Sequence, residues 1–368
     1  MNRLMKTALA AALALAAGVP GAARAQDAGG RTATFAARQE FKVMIPEGTK
    51  KVRAWFAMPQ EDTAQTVTGF KVECPFPHKV VKDSAGNASV YVEVLNPDVK
   101  DFALVETFTI TRREIRNTLD PAKAAPLTDA ERSAMSAELS PNQYIVIDDK
   151  IRALAKEIAG DEKNVVVAAR KIYDWVLNNI EYWVKYPETK KPSPVGSSEY
   201  CLASKTGNCT DFHSLWAALA RAQGIPTRIV YGSFFKAELD GKDKDQSYHC
   251  WPEFYVPGAG WVPHDVAVAD IFVGDFEITK TNDEKVRLTT ADGYKGGDKA
   301  KVEYYFGSID ERRVTWSRGR DLTMSPKQDG GPVNALAKAY VEVDGKPTGE
   351  KTGDTVNWSR KLTFTEKK

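Results

Sequence analysis

Three residues set the chemistry this sequence could perform. Cys209, His249 and Asp265 occur in that order within 207–265, a stretch that opens Gly207-Asn-Cys-Thr-Asp and closes Trp261-Val-Pro-His-Asp. A thiol, an imidazole and a carboxylate are the parts of a nucleophile, its base and the group that orients the base. Such a set attacks a carbonyl carbon through sulfur and moves the proton through the imidazole. The reaction class is acyl transfer through a thioester.

The local pattern says how these residues would be held. Leu215, Ala218, Leu219 and Ala222 recur at helical spacing over 210–223, and Gly224 and Pro226 end that helix. Cys209 then sits at the helix start, where unpaired N–H groups and the dipole favour a thiolate. The same N–H groups are expected to hold half of an oxyanion site. Gly207 lets the chain approach closely. His249 lies on a strand over 248–256, the Pro257–Gly260 segment turns the chain, and 261–266 returns antiparallel carrying Asp265. Strand alternation puts His249, Trp251, Glu253 and Tyr255 on one face and Cys250, Phe254 and Val256 on the other. That reading moves Cys250 away from the site. Whether Asp265 shares the His249 face rests on the hairpin register.

Neighbouring residues have plainer readings. His213, four positions after Cys209, is expected on the helix surface or in support of the site. His264 should point away from Asp265, and Glu253 should be a salt-bridged support. A zinc site built from Cys201, Cys209, His213, His249, Cys250 and His264 is the sharpest chemical rival. Their spacings match no common finger, and no C-x-x-C occurs, so no metal or cofactor is expected. Cys201 with Cys250 is the one disulfide worth considering. Cys74 and His78, separated by prolines, read as structural.

The rest of the chain frames this stretch. With 368 residues, 42% hydrophobic and 27% charged, it is a globular sequence of two or three domains. Residues 1–25 read as a cleaved secretory signal peptide: Arg3 and Lys6, an Ala/Leu-rich run, then Ala23-Arg24-Ala25. Removing that segment takes three basic residues from 51 and leaves 48 against 49 acidic, so no basic surface for nucleic acid is indicated. The expected location is periplasmic or secreted, with no integral membrane span after cleavage. Alternating short segments over 31–117 predict an N-terminal β-sandwich domain. A linker spans 118–147 with one short helix at 129–138. The catalytic core covers 148–275, with helices at 148–159 and 165–180. Residues 276–368 predict a small C-terminal β-rich annex.

The segments Leu202-Ala-Ser-Lys-Thr-Gly-Asn-Cys-Thr-Asp-Phe, Arg221-Ala-Gln-Gly-Ile-Pro-Thr-Arg and His249-Cys-Trp-Pro-Glu-Phe-Tyr resemble the transglutaminase-like superfamily, as do the upstream Ile172-Tyr-Asp-Trp-Val and Ile180-Glu-Tyr. The resemblance covers roughly 145–270 and is nearest to bacterial exported members. It implies an α+β papain-like core, with Cys209 as nucleophile, His249 as base and Asp265 as orienter. This family includes hydrolases, cross-linking transglutaminases and inactive binding versions, so membership leaves the reaction open. The expected function is an exported thiol-dependent acyl-transfer enzyme acting on a protein or peptide, more a hydrolase than a cross-linker. The alternative is a non-catalytic envelope binding or scaffold protein.

Overall fold

The computed structural model describes residues 30–242, 248–277 and 294–368. The segment read as a signal peptide lies outside the described residues.

Alternation along Thr32–Met44 and Asp101–Arg113 buries every second side chain. These two strands pair antiparallel from Thr32↔Arg113 to Met44↔Asp101. Gln65–Glu73 flanks them on one side. A second sheet runs through Lys51–Ala57, Ala88–Leu95 and His78–Lys82, the last two joined by the hairpin expected at 83–87. Phe41 and Leu104 of the first sheet share one core with Val52, Phe56 and Val90 of the second, and the Phe41 and Phe56 rings lie 4.9 Å apart. This is the predicted sandwich, built by period-two burial.

The β-rich C-terminal region is not a separate layer. Trp358–Lys367 pairs with Thr32–Met44 from Val43↔Trp358 to Thr34↔Lys367. Ala339–Val343 pairs with Lys51–Ala57. Both sheets of the sandwich are thus completed by strands from beyond the boundary expected at 276. An edge strand's N–H and C=O groups need partners, but its own sequence does not name them.

The core between these segments is a helical layer on a four-stranded sheet ordered Gly260–Pro263, Tyr248–Val256, Thr227–Phe234, Arg313–Arg318. The last strand again comes from the C-terminal region. Asp149–Ala159 is capped by Asp148 and ends at Gly160 (φ 66°). Val165–Asn179 buries Val165, Ala168, Ala169, Ile172 and Val176. The expected helix at 129–138 is two short ones, Asp129–Ala134 and Ser136–Leu139. The central Cys209–Ala222 helix is buried along its whole length. Phe212, Leu215, Trp216 and Leu219 are fully covered, and burying each contributes about 1.5–3 kcal/mol. No helix among the described residues is long and apolar enough to cross a membrane.

Candidate active site

The nucleophile end is built by a cap. Asn208 Oδ1 accepts the N–H groups of Thr210 (2.9 Å) and Asp211 (3.1 Å), and Asp211 Oδ2 accepts the N–H of Asn208 at 2.9 Å. This reciprocal box fixes Cys209 as the first helical residue. Asp211 also accepts from the backbone of Ser193 (3.0 Å) and Ser197 (2.8 Å), tying the preceding loop to the helix start. A Cβ on Gly207 would fall 2.3 Å from the Asp211 Cβ, so only glycine fits beside that carboxylate. The spacing Asn208-Cys-Thr-Asp211 carries this box in the sequence, although Asn208 had drawn no role there.

The cap revises the expectation of several unpaired N–H groups at the helix start. Those of Thr210 and Asp211 go to the Asn208 side chain, and that of Phe212 goes to the Asn208 carbonyl at 3.0 Å. The Cys209 N–H is directed at the hydroxyl of Tyr182. One first-turn donor, rather than a set, therefore faces the site.

The base and its orienter come from the sheet. Tyr248–Val256 pairs with Thr227–Phe234, placing His249 opposite Gly232. A Cβ at Gly232 would meet the Val314 carbonyl at 2.3 Å and Trp251 at 2.7 Å. The return strand runs only from Gly260 to Pro263, in register Val256↔Gly260 and Glu253↔Pro263. Asp265 is therefore not a strand residue as expected. It caps the helix Val266–Ile271, with Oδ1 accepting the Val268 N–H at 3.0 Å. Its other oxygen receives His249 Nε2 at 2.7 Å and Arg313 Nη1 at 2.6 Å. With Nε2 engaged, the His249 ring turns its other edge to Cys209, to which it is also hydrogen-bonded.

The electrostatics follow from this geometry. A hydrogen bond from Cys250 holds the Cys209 thiol well below its ordinary value, against burial, with the charge and hydrogen bond of His249 and the charge of His213 adding to it. Burial opposes charge on His249, but Asp265 and Cys209 raise it to about 9. Burial likewise opposes the Asp265 carboxylate, yet His249 and Arg313 keep it well below the usual range. At neutral pH the favoured state is thiolate, imidazolium and carboxylate in series.

Cys250 needs a correction. Alternation does separate it from His249, but its face is the one that looks at the nucleophile helix. Its Sγ lies 3.3 Å from His213 Nδ1 and 3.5 Å from Thr210 Oγ1, and it is hydrogen-bonded to Cys209. His249 reaches the same place from the neighbouring position. His213 Nε2 is 3.4 Å from Asp265 Oδ1. A second limb, Asp265–His213–Cys250–Cys209, thus runs beside Asp265–His249–Cys209.

Arg313 had no signal in the sequence. Fully buried, it binds Asp265 and also donates through Nε to Asp310 Oδ2 at 2.9 Å, with its guanidinium 4.1 Å from the Phe234 ring centre. It reaches the site because its strand pairs with Thr227–Phe234. His264 lies 4.0 Å from Trp216, ring centre to ring centre, and burial keeps it neutral. Glu253 pairs with Arg228 at 2.7 Å. All four cysteines are free of disulfides, so the Cys201–Cys250 pairing is absent. No group of three or more His, Cys, Asp or Glu among the described residues is placed to hold a metal ion.

Comparison with known proteins agrees with this geometry. An uncharacterised protein of Haemophilus influenzae is 26% identical over 335 residues, 84% of this chain and 85% of that protein. Among solved structures, a candidate cysteine protease of Cytophaga hutchinsonii superposes with a TM-score of 0.54 at 18% identity, covering 91% of this chain and 98% of that one. The periplasmic domain of TgpA from Pseudomonas aeruginosa gives 0.31 at 16% identity, covering 63% of this chain and 87% of that one. Residues 152–266 match the transglutaminase-like superfamily. That match spans the nucleophile helix, the His249 hairpin and Asp265, and it identifies this part of the α+β chain as a transglutaminase-like core.

Proposed function

We propose that the protein is a cysteine-dependent acyl-transfer enzyme acting on amide or peptide bonds, and that water is its usual acceptor. The observation that carries this reading is the 2.7 Å contact between His249 Nε2 and Asp265 Oδ2, which commits that nitrogen and aims the rest of the ring at Cys209. The Cys209 thiolate adds to the substrate carbonyl. The oxyanion that forms takes the Cys209 N–H in place of the Tyr182 hydroxyl. The imidazolium of His249 then protonates the leaving amine and a thioester remains. In the second half, neutral His249 takes a proton from water, which attacks the thioester and releases the acid. Asp265 stays ionised throughout and stabilises each imidazolium state. Water needs no dedicated acceptor site, and no residue of 207–265 marks one for an amine, so hydrolysis is favoured over cross-linking.

Export by way of residues 1–25 belongs to the same proposal, as does a protein or peptide substrate, one from the cell envelope included. A thiol-directed acylating probe tests the nucleophile: it should label the wild type and not Cys209→Ala. Equal labelling of both would overturn the assignment. An amide and peptide library read by mass spectrometry then separates hydrolysed from amine-linked products. A wild type that labels but turns over no member would favour the non-catalytic binding reading.

A further inference from the structure

The second limb of the site brings two thiols together inside one charged cluster. Thr210 Oγ1 touches both sulfurs, Cys209 at 3.9 Å and Cys250 at 3.5 Å, and the sulfurs are hydrogen-bonded to each other. His213 Nδ1 sits 3.3 Å from the Cys250 sulfur. Cys250 is fully buried, whereas Cys209 keeps 5% exposure. One sulfur therefore meets small molecules from solvent, and the second is reachable only through the first. The acyl-transfer cycle uses neither Cys250 nor His213.

We propose that Cys209 and Cys250 are a peroxide-oxidisable pair, with Cys250 as the thiol that resolves oxidised Cys209 and His213 as its base. The proposal rests on the reading of Cys209 as a thiolate nucleophile. The Cys209 thiolate attacks the O–O bond of a hydroperoxide. An S–O bond forms, the O–O bond breaks, and the departing alkoxide or hydroxide leaves as alcohol or water with a proton from His249. Cys250 then gives its proton to His213 Nδ1 and attacks the Cys209 sulfur. The S–S bond forms, the S–O bond breaks, and hydroxide leaves as water. Two thiols have lost two electrons and the peroxide has gained them. Closing from sulfur contact to a bond of about 2 Å takes side-chain rotation at both residues. The nucleophile is then blocked but spared the irreversible sulfinic acid, and a dithiol returns it to work.

Purified, reduced full-length protein is titrated with hydrogen peroxide and analysed by intact mass and peptide mapping. The wild type should lose two hydrogens and two free thiols, yield a Cys209–Cys250 peptide, lose probe labelling, and regain it with dithiothreitol. Cys250→Ser should instead accumulate Cys209 sulfinic acid that dithiothreitol does not reverse. His213→Gln should slow disulfide closure by at least about tenfold. If wild-type Cys209 goes directly to the sulfinic acid without the cross-linked peptide, the proposal fails. That result needs no variant to fold. It would leave the acyl-transfer reading intact as long as the reduced protein still labels. Absence of labelling in the reduced protein would count against that reading instead.

Discussion

Replacing Asp265 by Asn tests whether the carboxylate sets the ionisation of the pair in front of it. Asp265 is the first attractive charge on His249, and its carboxylate accepts His249 Nε2 at 2.7 Å. The rise of His249 from 6.5 to about 9 corresponds to about 3 kcal/mol of favoured imidazolium. The sign follows from the raised value: this stabilisation is fully present below pH 6.5 and is lost as pH climbs through about 9. In Asp265→Asn the His249 titration should fall back towards 6.5, and the thiolate loses its cation near neutrality. A thiol at its ordinary value of 9.0 is about 1% ionised at pH 7. Full loss of pairing would therefore cut the reactive fraction up to about a hundredfold. The Cys250 hydrogen bond remains, and a more basic thiolate is intrinsically more nucleophilic, so the expected loss is about tenfold to thirtyfold. The assay is the rate of Cys209 alkylation by iodoacetamide across pH 5 to 10, with the mass of the modified peptide as the readout. Wild type should show an acid limb well below 9 and a second change near 9. An Asp265→Asn profile identical to wild type would refute the reasoning.

Three further outcomes follow from named contacts. Arg313→Gln removes a buried cation from Asp265 and Asp310, and should cost about 3 kcal/mol by thermal melting, the low end for a broken buried pair because Asp265 keeps His249; Arg313→Lys should recover part of the loss. Glu106 is buried in the sandwich beside Gln39, and burial pushes its carboxyl to about 8. Wild-type stability should therefore decline as pH rises from about 4.5 to 8, and Glu106→Gln should remove that slope and add up to about 5 kcal/mol at pH 8, an upper bound read from melting at both ends. Gly207→Ala drives a methyl into Asp211, so it should lower the melting temperature and slow Cys209 alkylation together; an unchanged melt would show that the capping loop has room.

The sequence by itself determined the parts that depend on near neighbours along the chain. Helical spacing at 215–222, the stop at Gly224, the alternation of 248–256 and the order Cys209, His249, Asp265 were legible because local geometry repeats every few residues. The same locality explains what was misread. Alternation separated His249 from Cys250, yet it could not say which face would meet the helix; that is decided by packing Phe254 against Trp216, rings 5.6 Å apart. Asp265 read as the end of a strand because its role as a cap appears only once Val266–Ile271 folds as a helix. Tertiary structure alone decided the rest. Arg313 stands 48 positions beyond Asp265 and reaches it through strand pairing with Thr227–Phe234. The C-terminal strands close both sheets of a sandwich begun some 300 residues earlier, as in Thr34↔Lys367. A lone arginine or an alternating strand carries no mark of its distant partner, since hydrogen bonds and charge attraction depend on the final separation and not on distance along the chain.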